Sequence, residues 1–222
     1  MKNKIKYSFL IISIFILINF GQGCQKNPAT GDSEFNLLSE SEEDAIGRSE
    51  HQKIIKQFGG EYKNPKLKNY VESIGNFLVS TSELSDKKFT FTILNTPIIN
   101  AFALPGGFVY LTRGLIYLCQ NEAQLAGVIA HEIGHITARH SARRYTKSVG
   151  TGVLLQILNV FSQNNFVNNL LGQSAQLYLL SYSRSQEYQA DQLAVRYMIR
   201  AGFDAKEMAS FLRIMEDYAE IQ

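Results

Sequence analysis

Cysteine is scarce in this chain. Cys24 and Cys119 are the only two in 222 residues, too few for the disulfide framework that staples small secreted domains. Long apolar runs are also missing. The N-terminal one, Tyr7 to Phe20, would make a helix of about 21 Å against a hydrocarbon core of roughly 30 Å. No later stretch reaches the ~18 apolar residues of a spanning helix, which excludes an enzyme embedded in the bilayer. Charge of one sign is not in excess either: 22 Lys and Arg stand against 20 Asp and Glu, a formal net charge of +2. That balance leaves no electrostatic footprint for nucleic acid. Internal repeats and low-complexity segments are absent. What remains, with 45% apolar residues, is enough to bury one hydrophobic core.

The first 23 residues read as a cleaved targeting signal. Lys2, Lys4 and Lys6 precede the apolar run, and Gly21-Gln22-Gly23-Cys24 closes it with small residues and a cysteine. This ending resembles a bacterial lipobox, with Gly21 where a large aliphatic residue is usual. The resemblance implies that Cys24 is acylated, becomes the first residue of the mature chain and anchors it to a membrane. Gln25, in the place where aspartate marks inner-membrane retention, points to the periplasmic face of the outer membrane in a Gram-negative cell. Loss of the leader takes the net charge from +2 to −1. Cys119, left without an intrachain partner, is expected to be a buried small apolar residue.

Residues 24–38, rich in Gly, Pro, Ser and Asn, read as a lipidated tether, and 39–222 as one domain. Ser39 with Glu42 forms a capping box for a helix to about Phe58, stopped by Gly59-Gly60, and a second helix runs from Pro65 to about Val79. Phe89 to Leu94 alternates like a strand, Pro97 to Leu104 continues extended, Pro105-Gly106-Gly107 turns, and Phe108 to Thr112 forms a further strand. Asn121 with Gln124 caps a helix over Glu122 to Arg139. Gly150 to Gly172, apolar with Asn and Gln interruptions, reads as a helical hairpin, a long helix spans about Ser174 to Arg200, and Asp204 with Glu207 caps the last one. The order implies an α+β fold, mostly helical, with a small antiparallel sheet. Phe108, Val109, Tyr110 and Leu111 are expected either to form an exposed edge that binds substrate backbone or to be a core strand.

Inside the capped helix lies His131-Glu132-Ile133-Gly134-His135. Histidines at i and i+4 share one helix face and can reach one metal ion. Glu132 sits about 100° round from His131, beside the metal, where it can take a proton from water. A catalytic zinc site needs a third protein ligand. His51, His140 and acidic residues downstream are the candidates, although His51 stands among Glu50, Gln52 and Lys53 as a surface residue would. Glu187 and Asp191 lie at i and i+4 on one face. Glu187 can complete a two-His-one-Glu site, and Asp191 can hold the outer ring nitrogen of a ligating histidine. Arg184 and His140 are the candidates for stabilising the oxyanion, although His140, five residues past His135 and off the ligand face, reads first as a structural or supporting residue. Tyr178, Tyr182 and Tyr188 are plausible pocket-lining groups.

His-Glu-Ile-Gly-His with a downstream Ser183-Arg184-x-x-Glu187-x-x-x-Asp191 resembles the zinc metallopeptidases grouped with HtpX and the CAAX prenyl proteases. Asn27-Pro28-Ala29-Thr30-Gly31, Asn36-Leu37-Leu38-Ser39 and Asn100 to Gly107, running into Val109-Tyr110 and Thr112-Arg113-Gly114, are similar to the periplasmic lipoprotein branch of that family. The resemblance implies a gluzincin peptidase domain holding one Zn2+ on His131, His135 and Glu187, with Glu132 as base. It also implies endopeptidase activity on misfolded or misassembled envelope proteins. Members of this branch usually continue into a Thr-His-Pro segment. This chain stops at Gln222, as a truncated or minimal form would. The competing expectation is an envelope lipoprotein chaperone or assembly factor whose zinc site is gated or inactive.

Overall fold

The computed structural model describes residues 24–31, 33–147 and 182–221. The proposed leader, the expected hairpin over 150–172 and Tyr178 lie outside the described residues. Five strands and six named helices follow in order: β1 Cys24–Lys26, β2 Ser33–Phe35, α1 Glu40–Gln57, α2 Pro65–Ser80, β3 Thr90–Leu94, β4 Ala101–Leu104, β5 Phe108–Thr112, α3 Arg113–Leu118, α4 Glu122–Thr137, α5 Arg184–Arg200 and α6 Lys206–Ile221. None of the described helices is long and apolar enough to cross a membrane.

Local chemistry sets most helix ends. Ser39 and Glu42 cap each other at the start of α1, Asn64 with Pro65 opens α2, and the Asn121 side chain accepts the Gln124 amide at the start of α4. Asp204 Oδ1 accepts the Lys206 amide at the start of α6. Glu207 instead reaches sideways, accepting from Asn121 Nδ2 and Gln124 Nε2, and so ties α6 to the first turn of α4. One expected boundary moves. Ser183 is an extended N-cap with Gln186 completing its capping box, so α5 starts at Arg184 and not near Ser174.

The main sheet has the order β3-β5-β4 and is mixed, not purely antiparallel. β5 pairs parallel with β3, Thr90 opposite Phe108, and antiparallel with β4, Ala103 opposite Val109. The expectation of an edge strand at Phe108, Val109, Tyr110 and Leu111 is therefore corrected: β5 is central and both its ladders are used. The reason lies in its composition. Val109, Tyr110, Leu111 and Thr112 are all wholly buried, the mark of a strand covered on both faces. Val109 and Leu111 face the larger core with Phe91, Ile93 and α4, whereas Tyr110 joins Leu94, Phe102, Leu104 and Ile54 of α1 on the other face.

The tether expected over 24–38 is also corrected. β1 pairs with β2, Asn27, Asn36 and Leu38 are buried, and the Arg139 side chain donates to the Leu38 carbonyl at 2.8 Å. This segment is packed onto the domain. His51, expected at the surface, is half-buried; its Nδ1 lies 2.8 Å from the Tyr110 hydroxyl and its ring packs on Phe108. Cys119 is half-buried beside the core, with its thiol pushed up to about 12 by burial.

α4 sits at the centre, packed by α2, β4, α5 and α6. Twelve of its residues are buried, polar Gln124, Glu132, His135 and Thr137 among them. A helix covered on nearly every side is a rigid platform for side chains.

Candidate metal centre

His131 and His135 project from the last turns of α4 with their Nε2 atoms 2.9 Å apart. Glu187, in the first turn of α5, places Oε2 at 3.2 Å from His131 Nε2 and 3.7 Å from His135 Nε2. A zinc ion with bonds of about 2.0–2.1 Å holds tetrahedral ligand atoms roughly 3.3 Å apart, so this trio has the spacing of a ready-made site. It is the one group of three or more His, Cys, Asp or Glu among the described residues whose ligand atoms converge this way. His51 is engaged with Tyr110, and His140 has both ring nitrogens occupied. Of the candidates for a third ligand, the geometry brings only Glu187 to the two histidines.

Each histidine is held from behind. Asp191, one turn along α5 from Glu187, accepts from His131 Nδ1 at 2.9 Å. His135 Nδ1 lies 2.7 Å from His140 Nδ1, and His140 Nε2 lies 3.0 Å from Gln189 Oε1. His140 reaches this position because α4 ends at Thr137 and Arg139 takes φ 53°, a left-handed conformation that folds the chain back under His135. Arg139 is buried and donates to Glu43 and Leu38, which hold the turn. Continued helix would instead have carried His140 away from the ligand face.

The charges follow the geometry. Burial works against a proton on His131, but hydrogen bonds to Asp191 and Glu187 win and raise it to about 10. Glu187 is held well below the carboxylate range by the two histidines beside it, His131 foremost. Burial pushes His140 down to about 3, so it is a neutral imidazole. Burial also pushes Glu132 up, against the pull of His135 and His131. Glu132 Oε2 is buried with no hydrogen-bond partner, a carboxylate oxygen with nothing to hold except what enters the cleft.

The cleft is a cavity of about 270 Å³ beside Glu132, His131 and Glu187, walled by Val128, Met208, Phe211, Leu212 and Met215. Asn100 and Ala101, at the start of the outer strand β4, border it too. Tyr182 stacks on His135 at 3.9 Å between ring centroids and places its hydroxyl 2.9 Å from Ser141 Oγ. Burial raises its phenol to about 12. Tyr188 is largely exposed. Arg184 is exposed on the first turn of α5. His140 points at His135 and Gln189, away from the cavity. Sequence reasoning missed Gln189 altogether; its i+2 spacing from Glu187 carried no signal without the turn at Arg139.

The sequence profile described as Peptidase family M48 matches residues 65–220, from the start of α2 to within one residue of the end of α6 and including the whole cluster. The chain belongs to peptidase family M48. Three relatives place it within that family. The "Beta-barrel assembly-enhancing protease" of Escherichia coli K12 is 32% identical over 212 residues, covering 90% of this chain and 43% of the relative. The protein of the same name from Yersinia pestis is 36% identical over 163 residues, 69% of this chain and 34% of the relative. The "Mitochondrial metalloendopeptidase OMA1" of Schizosaccharomyces pombe is 30% identical over 183 residues, 80% of this chain and 53% of the relative. This M48 chain therefore spans about a third to a half of the length of the curated relatives it matches.

Proposed function

We propose that this chain is a zinc-dependent endopeptidase that cleaves misfolded or stalled proteins of the bacterial cell envelope. The observation that carries this reading is the convergence of His131, His135 and Glu187 beside an unpartnered, buried Glu132 oxygen at the edge of an apolar cavity. The names of the relatives, a β-barrel assembly-enhancing protease and a mitochondrial metalloendopeptidase, support the reaction and the substrate class.

His131, His135 and Glu187 would hold the metal, which when bound supplies Lewis-acid polarisation of the attacking water and the scissile carbonyl. Glu132 takes the proton of that water and passes it to the leaving amine, a task suited to a carboxylate whose proton affinity burial has raised. Asp191 keeps the proton of His131 on Nδ1 and leaves Nε2 to face the cluster. Arg184, three residues before Glu187 on the same helix face, is the group proposed to meet the developing negative charge. His140 is not suited to that task, because both its nitrogens are engaged. Substrate backbone would pair beside Asn100 and the β4 residue Ala101, not along β5, and would set an apolar side chain into the cavity.

Acylated Cys24 would anchor the protein at the periplasmic face of the outer membrane. Because 24–38 is packed on the domain, the anchor would hold the body close to the bilayer and not at the end of a loose leash. Cys24→Ala should release the protein from the membrane fraction.

The deciding experiment is cleavage of unfolded casein by the purified chain, with zinc quantified in the same sample and Glu132→Gln run in parallel. Cleavage by wild type alone supports the proposal. Stoichiometric zinc without cleavage would transfer the assignment to the alternative, an envelope chaperone or assembly factor with a gated site.

A further inference from the structure

Resting on the metal-site reading above, we propose that His140 is a positioning residue that fixes which nitrogen of His135 is free to bind metal, and that Arg143 and Gln189 fix His140 in turn. Four atoms have their roles forced one after another. A guanidinium carries only donors, and Arg143 Nη2 lies 2.8 Å from Gln189 Oε1, so the oxygen of that amide faces this way and its NH2 group does not. His140 Nε2 lies 3.0 Å from the same oxygen and can only donate to it. His140 is wholly buried with no carboxylate among its hydrogen-bond partners, which leaves it uncharged, and a neutral imidazole protonated on Nε2 has a bare Nδ1. That Nδ1 is 2.7 Å from His135 Nδ1, so the proton shared between the two rings belongs to His135. His135 Nε2 is then left with its lone pair directed toward His131 Nε2 and Glu187 Oε2.

The opposite arrangement is damaging. A proton on His140 Nδ1 would make His135 Nδ1 the acceptor and put the His135 proton on Nε2, inside the cluster. His140 is wholly buried, out of reach of bulk solvent. The chain's local geometry supports the same assignment: the left-handed turn at Arg139 presents the His140 ring to His135, and Gln186 Nε2 donates to the His140 carbonyl at 3.3 Å. α5 thus supplies the acidic ligand Glu187, the Asp191 partner of one histidine and the Gln189 anchor for the other. His131 is oriented by a carboxylate and His135 by a neutral relay.

The tautomers can be read directly from long-range 15N–1H correlation spectra of the labelled full chain loaded with zinc. His135 is expected to carry its proton on Nδ1 and His140 on Nε2; a His140 ring protonated on Nδ1, or on both nitrogens, overturns the proposal. Variants test the consequence by chelator competition for zinc. His140→Asn keeps an oxygen acceptor near the position of Nδ1 and should bind within a few-fold of wild type, whereas His140→Leu should bind roughly 10- to 100-fold more weakly. A folded His140→Leu with wild-type zinc affinity would sink the idea. Should the leucine variant fail to fold, Gln189→Met leaves both rings in place and removes only the anchoring oxygen. It should give mixed His140 tautomers and weaker zinc binding, and unchanged spectra and affinity count against the relay. Failure of wild type to bind zinc, with these tautomers found in the metal-free chain, would refute the metal-site reading and leave the relay standing.

Discussion

A Cβ added to Gly134 would lie 3.0 Å from the carbonyl oxygen of Ala190 and 3.2 Å from Leu193 Cβ. Helices α4 and α5 therefore meet backbone to backbone beside His135 and Asp191, and this closeness sets the reach of Glu187 and Asp191 to the histidines. Replacing a helix-interior glycine by alanine ordinarily gains about 0.5–1 kcal/mol, but here any larger side chain must push the helices apart. Gly134→Val should lower the thermal midpoint and weaken zinc binding together, measured by circular dichroism and chelator competition. A loss of stability with zinc affinity intact would show that the spacing does not govern the cluster.

Glu132 and Glu187 should separate cleanly by substitution. Glu132→Gln keeps the shape of the side chain and should retain zinc and fold while losing hydrolysis by at least about 10²-fold, the usual contribution of a positioned base. Glu187→Ala should lose zinc affinity as well. Equal zinc content in wild type and Glu187→Ala would refute the ligand assignment.

The cavity wall should set cleavage preference. Met208, Phe211, Leu212 and Met215 line the space next to Glu132, so casein should be cut beside large apolar residues. Leu212→Arg, at a half-exposed position on the cavity wall, should redistribute the cut sites toward acidic residues without changing zinc content. Mass spectrometry of the peptides decides, and an unchanged pattern would place the specificity elsewhere.

Arg139 and Glu43 form a pair in which both side chains are buried, 96 residues apart in the chain. Arg139→Met removes one partner and leaves a carboxyl group in an apolar setting, a change that costs about 3–5 kcal/mol in comparable cases. Glu43→Leu added to Arg139→Met should recover part of that loss in urea denaturation. No recovery would mean that contacts of Arg139 other than the pair, its bond to the Leu38 carbonyl among them, supply the stability.

His51 offers a pH signature away from the cluster. Burial holds its ring below the ordinary value of 6.5, with Glu61 opposing. The unfolded chain therefore takes up a proton below about pH 6.5 that the folded protein resists, and stability from this residue falls as pH falls through that window. Compared with His51→Gln, wild type should hold a larger margin in thermal midpoint at pH 8 than at pH 5. A margin that stays constant across this range would show that the His51–Tyr110 contact does not sense the proton.

Much of this protein is legible one segment at a time. The capping box at Ser39, the Asn121 cap and the His131/His135 spacing are local patterns, and local hydrogen bonds realise them as the sequence implies. Glu187 and Asp191 could be chosen because helical periodicity puts them on one face before any tertiary contact is known. Family membership was readable from the same motifs, and the profile match over 65–220 agrees.

Tertiary structure alone decided the rest, wherever the outcome depended on partners distant in sequence. Phe108 to Leu111 has the composition of a strand, but its central place follows from burying both faces between α1 and α4 while β4 takes the outside. Residues 24–38 look like a linker until Asn27, Asn36 and Leu38 find cover on the domain. The fold-back of His140 needs a left-handed arginine, a conformation few non-glycine residues take unless the surroundings hold it. Glu43 and the Leu38 carbonyl hold it here. The sequence by itself determined the candidates for metal ligands and base, because their spacing follows helical periodicity. Which side chains support those candidates, and which strand lies at the sheet edge, depend on long-range packing that no local pattern encodes.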